Sequence, residues 1–220
     1  MLGIIPAAGA GTRIQPLAFS KELLPVGMRR DDGVERPRAV SEYVVERLVL
    51  GGATRLCFVI SPEKADIMRY YGDRAGGVPV CYVVQPRPAG LCDAIFSALP
   101  FLDDREDVAV GLPDTVWFPR QGLAWLPRGR FAFLLFPVDR PERFDAVVTD
   151  DDGRVLEVQV KTAASTNYVW GAFKLPGPTF RELAALWEAR GRRDEYLGHL
   201  VNAHLDGGGQ VIAMRAGTSY

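Results

Sequence analysis

Neither sign of charge dominates this sequence: 26 lysines and arginines stand against 27 aspartates and glutamates over 220 residues, a formal net charge of −1. Without a basic excess to neutralise a phosphate backbone, nucleic acid is not expected as its partner. Long hydrophobic runs are missing too. The longest, Phe131 to Val138, has eight residues, against the roughly 20 that a helix needs to cross a bilayer, so no membrane span is expected. Cys57, Cys81 and Cys92 follow no metal-ligand or disulfide spacing, and the N-terminus has no basic lead-in with a cleavage site, which together point to a reduced, cytoplasmic protein. The 23 glycines and 16 prolines are scattered and read as loop punctuation. The length suits a single domain over 1–220, and a hydrophobic content of 48% can fill a substantial core.

The apolar pattern alternates between two periods. Leu2 to Ala8 reads as a buried strand running into a small, Gly-rich loop. Val40, Val44, Val45, Leu48 and Val49 recur at helical spacing and predict an amphipathic helix over 40–50, stopped by Gly51 and Gly52. A strand is expected over 55–60, a helix over 62–71 capped by Ser61, and a strand over 80–84. There follow a helix over 91–99, a strand over 107–112 and the run 131–138, apolar on both faces as a covered central strand should be. Asp150-Asp151-Asp152-Gly153 between two β-branched runs, 145–149 and 154–161, predicts a hairpin. A strand over 168–175, helices over 178–190 and 195–205, and a strand over 210–215 complete the chain. This order predicts a layered α/β/α fold around a mixed, mainly parallel sheet.

The chemistry concentrates near the start. In Pro6-Ala-Ala-Gly-Ala-Gly-Thr-Arg13, Gly9 and Gly11 let backbone N–H groups approach an anion, while Thr12, Arg13 and Lys21 add donors and positive charge. On Gly-Ala-Gly alone, an ordinary surface turn is an equal reading. A dinucleotide fingerprint would need a third glycine where Ile14 stands, and a Walker loop needs a Gly-Lys dipeptide that this chain does not contain. His199 and His204, both on the late helix, read as surface or packing residues.

Gly-Ala-Gly-Thr-Arg13, Pro16 and Ser20-Lys-Glu-Leu-Leu-Pro25 together resemble the N-terminal signature of the sugar nucleotidyltransferases, particularly the glucose-1-phosphate thymidylyltransferases and uridylyltransferases. The resemblance continues in register through Gln85-Pro-Arg-Pro-Ala-Gly90-Leu91, Leu112-Pro-Asp114, the segment 144–161 and Asn167-Tyr-Val-Trp-Gly171. It implies a Rossmann-like nucleotidyltransferase fold and Mg²⁺-dependent joining of UTP or dTTP to a sugar 1-phosphate. In that likeness Ala8, Gly9, Gly11 and Thr12 cradle the nucleotide, and Gln85 and the Gly90 backbone read its base. Arg13 and Lys21 neutralise the leaving pyrophosphate, Asp114 holds the metal and Lys161 meets the acceptor phosphate. Asp145, Asn167 and Gly171 face the sugar. The family often assembles through segments outside its common core, and for this chain a monomer or homodimer is expected.

Four departures stand out. The interval of eight positions from Arg13 to Lys21 is shorter than in the family. Val160 replaces the family's glutamate before the lysine, and Asp145 replaces a glycine in the sugar pocket, so an acceptor other than plain glucose 1-phosphate is expected. Finally, the strand over 210–215 runs on to Tyr220 and stops before the family's second metal-binding aspartate. Either the working protein continues past this point or the site has one carboxylate for the metal, which leaves open a non-catalytic nucleotide-binding paralogue; Trp170 and Asp145 near the acceptor leave open a cytidylyltransferase for a phosphomonoester such as choline phosphate. If Arg13 neutralises charge mainly in the transition state, Arg13→Ala should lower kcat by orders of magnitude with an unchanged far-UV circular dichroism spectrum; near-normal turnover would remove Arg13 from the site.

Overall fold

The structure, a computed structural model, describes residues 1–11, 14–103 and 105–219. In chain order its elements are β1 (Leu2–Pro6), β2 (Pro25–Asp31), β3 (Val34–Ala39), α1 (Val40–Leu50), β4 (Arg55–Ile60), α2 (Ala65–Tyr71), β5 (Arg74–Ala75) and β6 (Val78–Val84). Then come α3 (Gly90–Phe96), β7 (Val108–Gly111), β8 (Trp117–Phe118), α4 (Gly122–Trp125), β9 (Ala132–Pro137), β10 (Asp145–Thr149) and β11 (Val155–Val160). The chain closes with β12 (Tyr168–Leu175), α5 (Gly177–Ala189), α6 (Leu197–Asp206), β13 (Ile212–Arg215) and β14 (Thr218–Ser219).

The main sheet runs β11-β10-β12-β7-β1-β4-β6-β5, with β9 branching from β12 and β13 pairing in parallel with β9. Its centre is parallel: β1 pairs in parallel with both β4 and β7, and β4 with β6. The antiparallel pairings are β12 against β7, β9 and β10, the hairpin β10–β11, and β5 against β6 at the far edge. The sheet is therefore mixed with a parallel core, as the alternating pattern predicts. The hairpin turn is held by its own aspartate. Asp150 Oδ1 accepts the N–H groups of Asp152 and Arg154 at 3.0 and 2.8 Å, and Gly153 adopts φ +80°.

Strand alternation divides the core into two apolar layers. Leu2, Ile4, Cys57 and Val59 face a layer with Phe96, Phe180, Trp187, Leu200 and Val201 from α3, α5 and α6. Ile5, Leu56, Phe58 and Ile60 face Val44, Val45, Leu48, Ile67 and Leu123 from α1, α2 and α4. Helix α1 lies close on the sheet because Gly3 and Gly111 have no side chain there. A Cβ on Gly3 would come within 2.7 Å of Leu56 Cδ2, and one on Gly111 would collide with Val44 Cγ2. No helix among the described residues is long and apolar enough to cross a membrane.

Several elements differ from expectation. The helix predicted over 62–71 is a 3₁₀ turn, Pro62–Lys64, followed by α2. The break falls at Lys64, whose backbone (φ −99°, ψ 34°) leaves helical geometry, and Ser61 makes no side-chain cap. The helix expected over 91–99 stops at Phe96, and α6 begins at Leu197 instead of 195. The hairpin β2–β3 has no counterpart in the sequence reading, because nearly all its residues are exposed and no alternation marks a buried face. It is tied to the body by Tyr43 Oη, which donates to the Val26 carbonyl at 2.9 Å. Close packing of α1 makes Gly111→Ala a sensitive test: the added methyl should destabilise the fold by about 1–3 kcal/mol, read as a lower urea midpoint at an unchanged m-value.

Candidate active site

Strand β1 delivers the chain to the carboxyl edge of the parallel sheet, where open α/β sheets place their ligands. Ala7 N–H still pairs with the Val59 carbonyl at 2.7 Å, after which Gly9 and Ala10 emerge into solvent. The loop is fixed from beneath by a buried ammonium. Lys64 Nζ donates to the carbonyls of Ala7 and Gly9, both at 2.6 Å, and to Glu22 Oε1 and Oε2 at 2.7 and 2.8 Å. In a planar trans peptide the carbonyl and the following N–H point in opposite directions. With these two carbonyls turned towards Lys64, the N–H groups of Ala8 and Ala10 turn away from it, the orientation that an anion cradle needs. Burial pushes the Glu22 carboxyl above the ordinary glutamate value, against the Lys64 ammonium, which acts to lower it.

The loop returns under similar restraint. Ser20 donates through N–H and Oγ to Asp66 Oδ2 and Oδ1, each at 2.6 Å. Burial alone would raise Asp66, but these bonds and the Ile67 N–H outweigh it and hold its pKa below the usual aspartate range. Lys21 then reaches back over Gly11, whose φ of +64° suits glycine and whose missing Cβ would stand 2.9 Å from Lys21 Cδ. The Lys21 ammonium meets Asp114 Oδ2 at 2.5 Å. Thr12 and Arg13, the other residues expected in the cradle, lie outside the described residues.

A cleft of about 680 Å³ opens beside the loop, lined by Ala8, Ala10, Phe19, Lys64, Gln85 and Pro88 among others. Gln85, at the end of β6, is buried, and its Nε2 donates to Asp93 Oδ2 at 2.6 Å and to the Gly90 carbonyl at 3.3 Å. Gly90, with φ +87°, packs so closely under Glu195 that a Cβ would come 3.1 Å from its carbonyl oxygen. Leu91 N–H donates to that same Glu195 carbonyl at 3.1 Å. The next residue, Tyr196, carries Lys161 Nζ 3.9 Å above its ring centre. Gly90 and Leu91, expected at the nucleotide, and Lys161, expected at the acceptor, are thus joined through the segment Glu195–Tyr196.

Of the residues expected to meet the acceptor, Asp145 opens β10 and Lys161 follows β11. Lys161 has φ +46°, and its N–H donates to the Phe144 carbonyl at 3.2 Å. Burial raises the Asp145 pKa. The Trp170 side-chain hydrogen bond, the charges of Lys161 and His199, and the Gly198 N–H all favour the carboxylate but offset burial only in part. His199, set apart from the site on sequence grounds, therefore stands near enough to act on Asp145, because α6 lies against β11 where Gly198 has no side chain. A Cβ there would come 2.5 Å from Val160 Cγ2, so the valine in place of the family's glutamate packs beneath α6. Gly171 is buried against Phe136 and Thr115, and its carbonyl accepts Leu112 N–H at 3.3 Å, supporting the turn that carries Asp114. Asn167 is exposed, and its carbonyl accepts Val138 N–H at 2.9 Å. His204 packs against Phe131.

Sequence reasoning missed Glu22, Lys64, Asp66, Asp93 and Tyr196. Each acts through a partner distant in the chain, which periodicity does not register. Among the described residues, no group of three or more His, Cys, Asp or Glu side chains could hold a metal ion.

Residues 2–214 match the profile of the nucleotidyl transferase family. Among curated proteins, the chain is 28% identical over 222 residues to the UTP–glucose-1-phosphate uridylyltransferase of Haloferax volcanii, covering 98% of this chain and 88% of that protein. It is 27% identical over 227 residues to the glucose-1-phosphate thymidylyltransferase of Streptomyces antibioticus, covering 97% of this chain but only 60% of the relative. The UTP-bound UGPase of Acinetobacter baumannii superposes with a TM-score of 0.78 at 22% identity, covering all of this chain and 87% of that one.

The buried Lys64–Glu22 pair generates a stability prediction. Lys64→Met leaves Glu22 unpaired and frees two loop carbonyls, at a cost of about 3–5 kcal/mol in urea unfolding. Because Glu22 titrates above 4.5 in the fold, its proton favours folding; that contribution is complete below the unfolded pKa and is lost as pH rises through the folded one. Removing Lys64 lifts the folded value further, so the deficit of Lys64→Met relative to the wild type should widen between pH 5 and pH 8.

Proposed function

The chain belongs to the nucleotidyl transferase family, and from that membership we propose that it joins a pyrimidine nucleoside triphosphate, UTP or dTTP, to a sugar 1-phosphate with release of pyrophosphate. The observation that carries this reading is the Lys21 ammonium lying over Gly11 and against Asp114 at 2.5 Å. It puts a positive charge and an open carboxylate at the mouth of a backbone cradle. Each has a natural exchange partner in the substrate complex, the lysine a phosphate oxygen and the aspartate a cation.

In the proposed reaction, an oxygen of the acceptor phosphate attacks the α-phosphorus in line; the bond from that phosphorus to the bridging oxygen breaks, and the electron pair leaves on pyrophosphate. A phosphate monoester with a second pKa near about 6 is mostly dianionic at neutral pH, so no protein base is required. The task of the protein is to hold two polyanions together. Ala8 and Ala10 N–H groups and Lys21 receive the triphosphate, together with Arg13 by family likeness. Lys161, steadied on Tyr196, receives the acceptor phosphate. The donor set suits Mg²⁺, which takes one or two carboxylates and completes its shell with water and phosphate oxygens; Asp114, with its side chain 46% accessible, would hold it. When bound, the ion supplies neutralisation of phosphate charge.

Asp145 and the inward-packed Val160 support a sugar other than plain glucose, since a carboxyl of raised pKa stands where the family resemblance expects a glycine. For choline phosphate the geometry is less favourable. The Tyr196 face that would box a quaternary ammonium already carries the Lys161 ammonium.

Pyrophosphate release, measured with Mg²⁺ over UTP, dTTP, CTP, ATP and GTP crossed with a panel of sugar 1-phosphates and choline phosphate, is expected only with UTP or dTTP and a sugar. Nucleotide binding without release from any pair would instead indicate a non-catalytic paralogue. Lys21→Ala should lower kcat/KM at least about a hundredfold. Its melting temperature should stay within a few degrees of wild type, since exposed ion pairs contribute about 0–1 kcal/mol.

A further inference from the structure

We propose that Asp93 determines base selectivity in the nucleotide cleft by holding the Gln85 side-chain amide in one orientation, with its oxygen and not its NH₂ towards the base. The inference rests on the nucleotide-transfer reading above and names a positioning residue for that site.

A glutamine amide presents two donors on nitrogen and two lone pairs on oxygen, and its orientation is fixed by what surrounds it. Gln85 Nε2 lies 2.6 Å from Asp93 Oδ2 and 3.3 Å from the Gly90 carbonyl oxygen. A carboxylate and a carbonyl can only accept, so both hydrogens of the NH₂ group are committed to these two neighbours. Turning the amide over would set its oxygen against two acceptors inside a site where Gln85 is 4% exposed, and an unpaired buried polar group is costly. Gln85 Oε1 is thus the atom left over. Among the described residues no hydrogen bond engages it, and Gln85 lines the cleft beside Ala8, Ala10 and Lys64.

An acceptor at this point matches the N3–H of a uracil or thymine. It does not match cytosine, which presents a lone pair at N3. The Gly90 N–H, at the first position of α3, lies ahead of the intrahelical hydrogen-bond ladder and adds a donor suited to the neighbouring C4 carbonyl. Cytosine would meet this acceptor–donor pair with an acceptor at N3 and a donor at N4, mismatched at both positions. Asp93 sits one turn into the same helix, where its side chain returns to Gln85 across a separation of eight residues. Asparagine or serine at this position could donate to Gln85 Oε1 and release the amide to turn its NH₂ towards the base.

The test is isothermal titration of the full chain with UTP, dTTP and CTP in Mg²⁺, comparing wild type with Asp93→Asn. The wild type should bind UTP and dTTP more tightly than CTP, and Asp93→Asn should shrink that ratio at least about tenfold by gaining CTP affinity. A merely structural role for Asp93 would weaken all three nucleotides together and leave the ratio unchanged, which would overturn the inference. A wild type that binds no pyrimidine nucleotide, or binds all three alike, would overturn the underlying reading of the cleft instead. Should Asp93→Asn fail to fold, Asp93→Ser carries the same expectation and the same refutation.

Discussion

The site depends on one buried ammonium. Lys64 reaches out of the 3₁₀ turn that precedes α2 and is surrounded by two loop carbonyls and the two oxygens of Glu22. A charge in such a place is tolerated only when its hydrogen bonds are complete, so three stretches of chain must be in position together: the exit of β1, the turn carrying Lys21 and Glu22, and the end of β4. The constraint is structural, yet its effect is chemical. By drawing the carbonyls of Ala7 and Gly9 downward it orients the intervening peptide groups, and it sets Lys21, the residue before Glu22, over Gly11 and against Asp114.

Legibility of the fold followed burial. Helix α1 and strand β4 occupy the bounds that their apolar spacing predicts, because both present an uninterrupted buried face. The hairpin β2–β3 is illegible for the opposite reason, since of its residues only Ala39, at the junction with α1, is buried. Helix α2 was overextended: the pattern does not reveal that Lys64 must leave the helix to serve the site. Within the site, the local features could be read, namely Gly9, Gly11, Lys21 and Asp114. The contacts spanning 42 residues to Lys64, or eight from Gln85 to Asp93, could not. His199 is exposed on α6, in keeping with its reading as a surface residue, and its charge reaches Asp145 because Gly198 seats that helix against β11.

Glycine has two separate roles around the site. Gly11 and Gly90 adopt left-handed backbone and allow a neighbouring chain to lie across them, Lys21 in one case and Glu195 in the other. Gly171 and Gly198 have no such torsion and serve proximity alone. The first brings the strand under the Asp114 turn, and the second brings a helix against Val158 and Val160. The family resemblance implies a sugar-facing Gly171, whereas its surroundings here are Phe136 and Thr115, and its carbonyl supports the turn that carries Asp114.

The hairpin β2–β3 is attached through Tyr43 and through the Arg29–Glu42 ion pair at 3.3 Å and continues directly into α1, while its tip at Asp32 and Gly33 is exposed. Helix α1 is itself seated firmly on the sheet by Gly3 and Gly111. A Cβ added at Gly33 would meet no atom other than its chain neighbours within 4 Å. This makes the tip a natural attachment point, where a fluorophore, an affinity handle or an inserted peptide can be carried without touching the glycine-rich loop that follows β1.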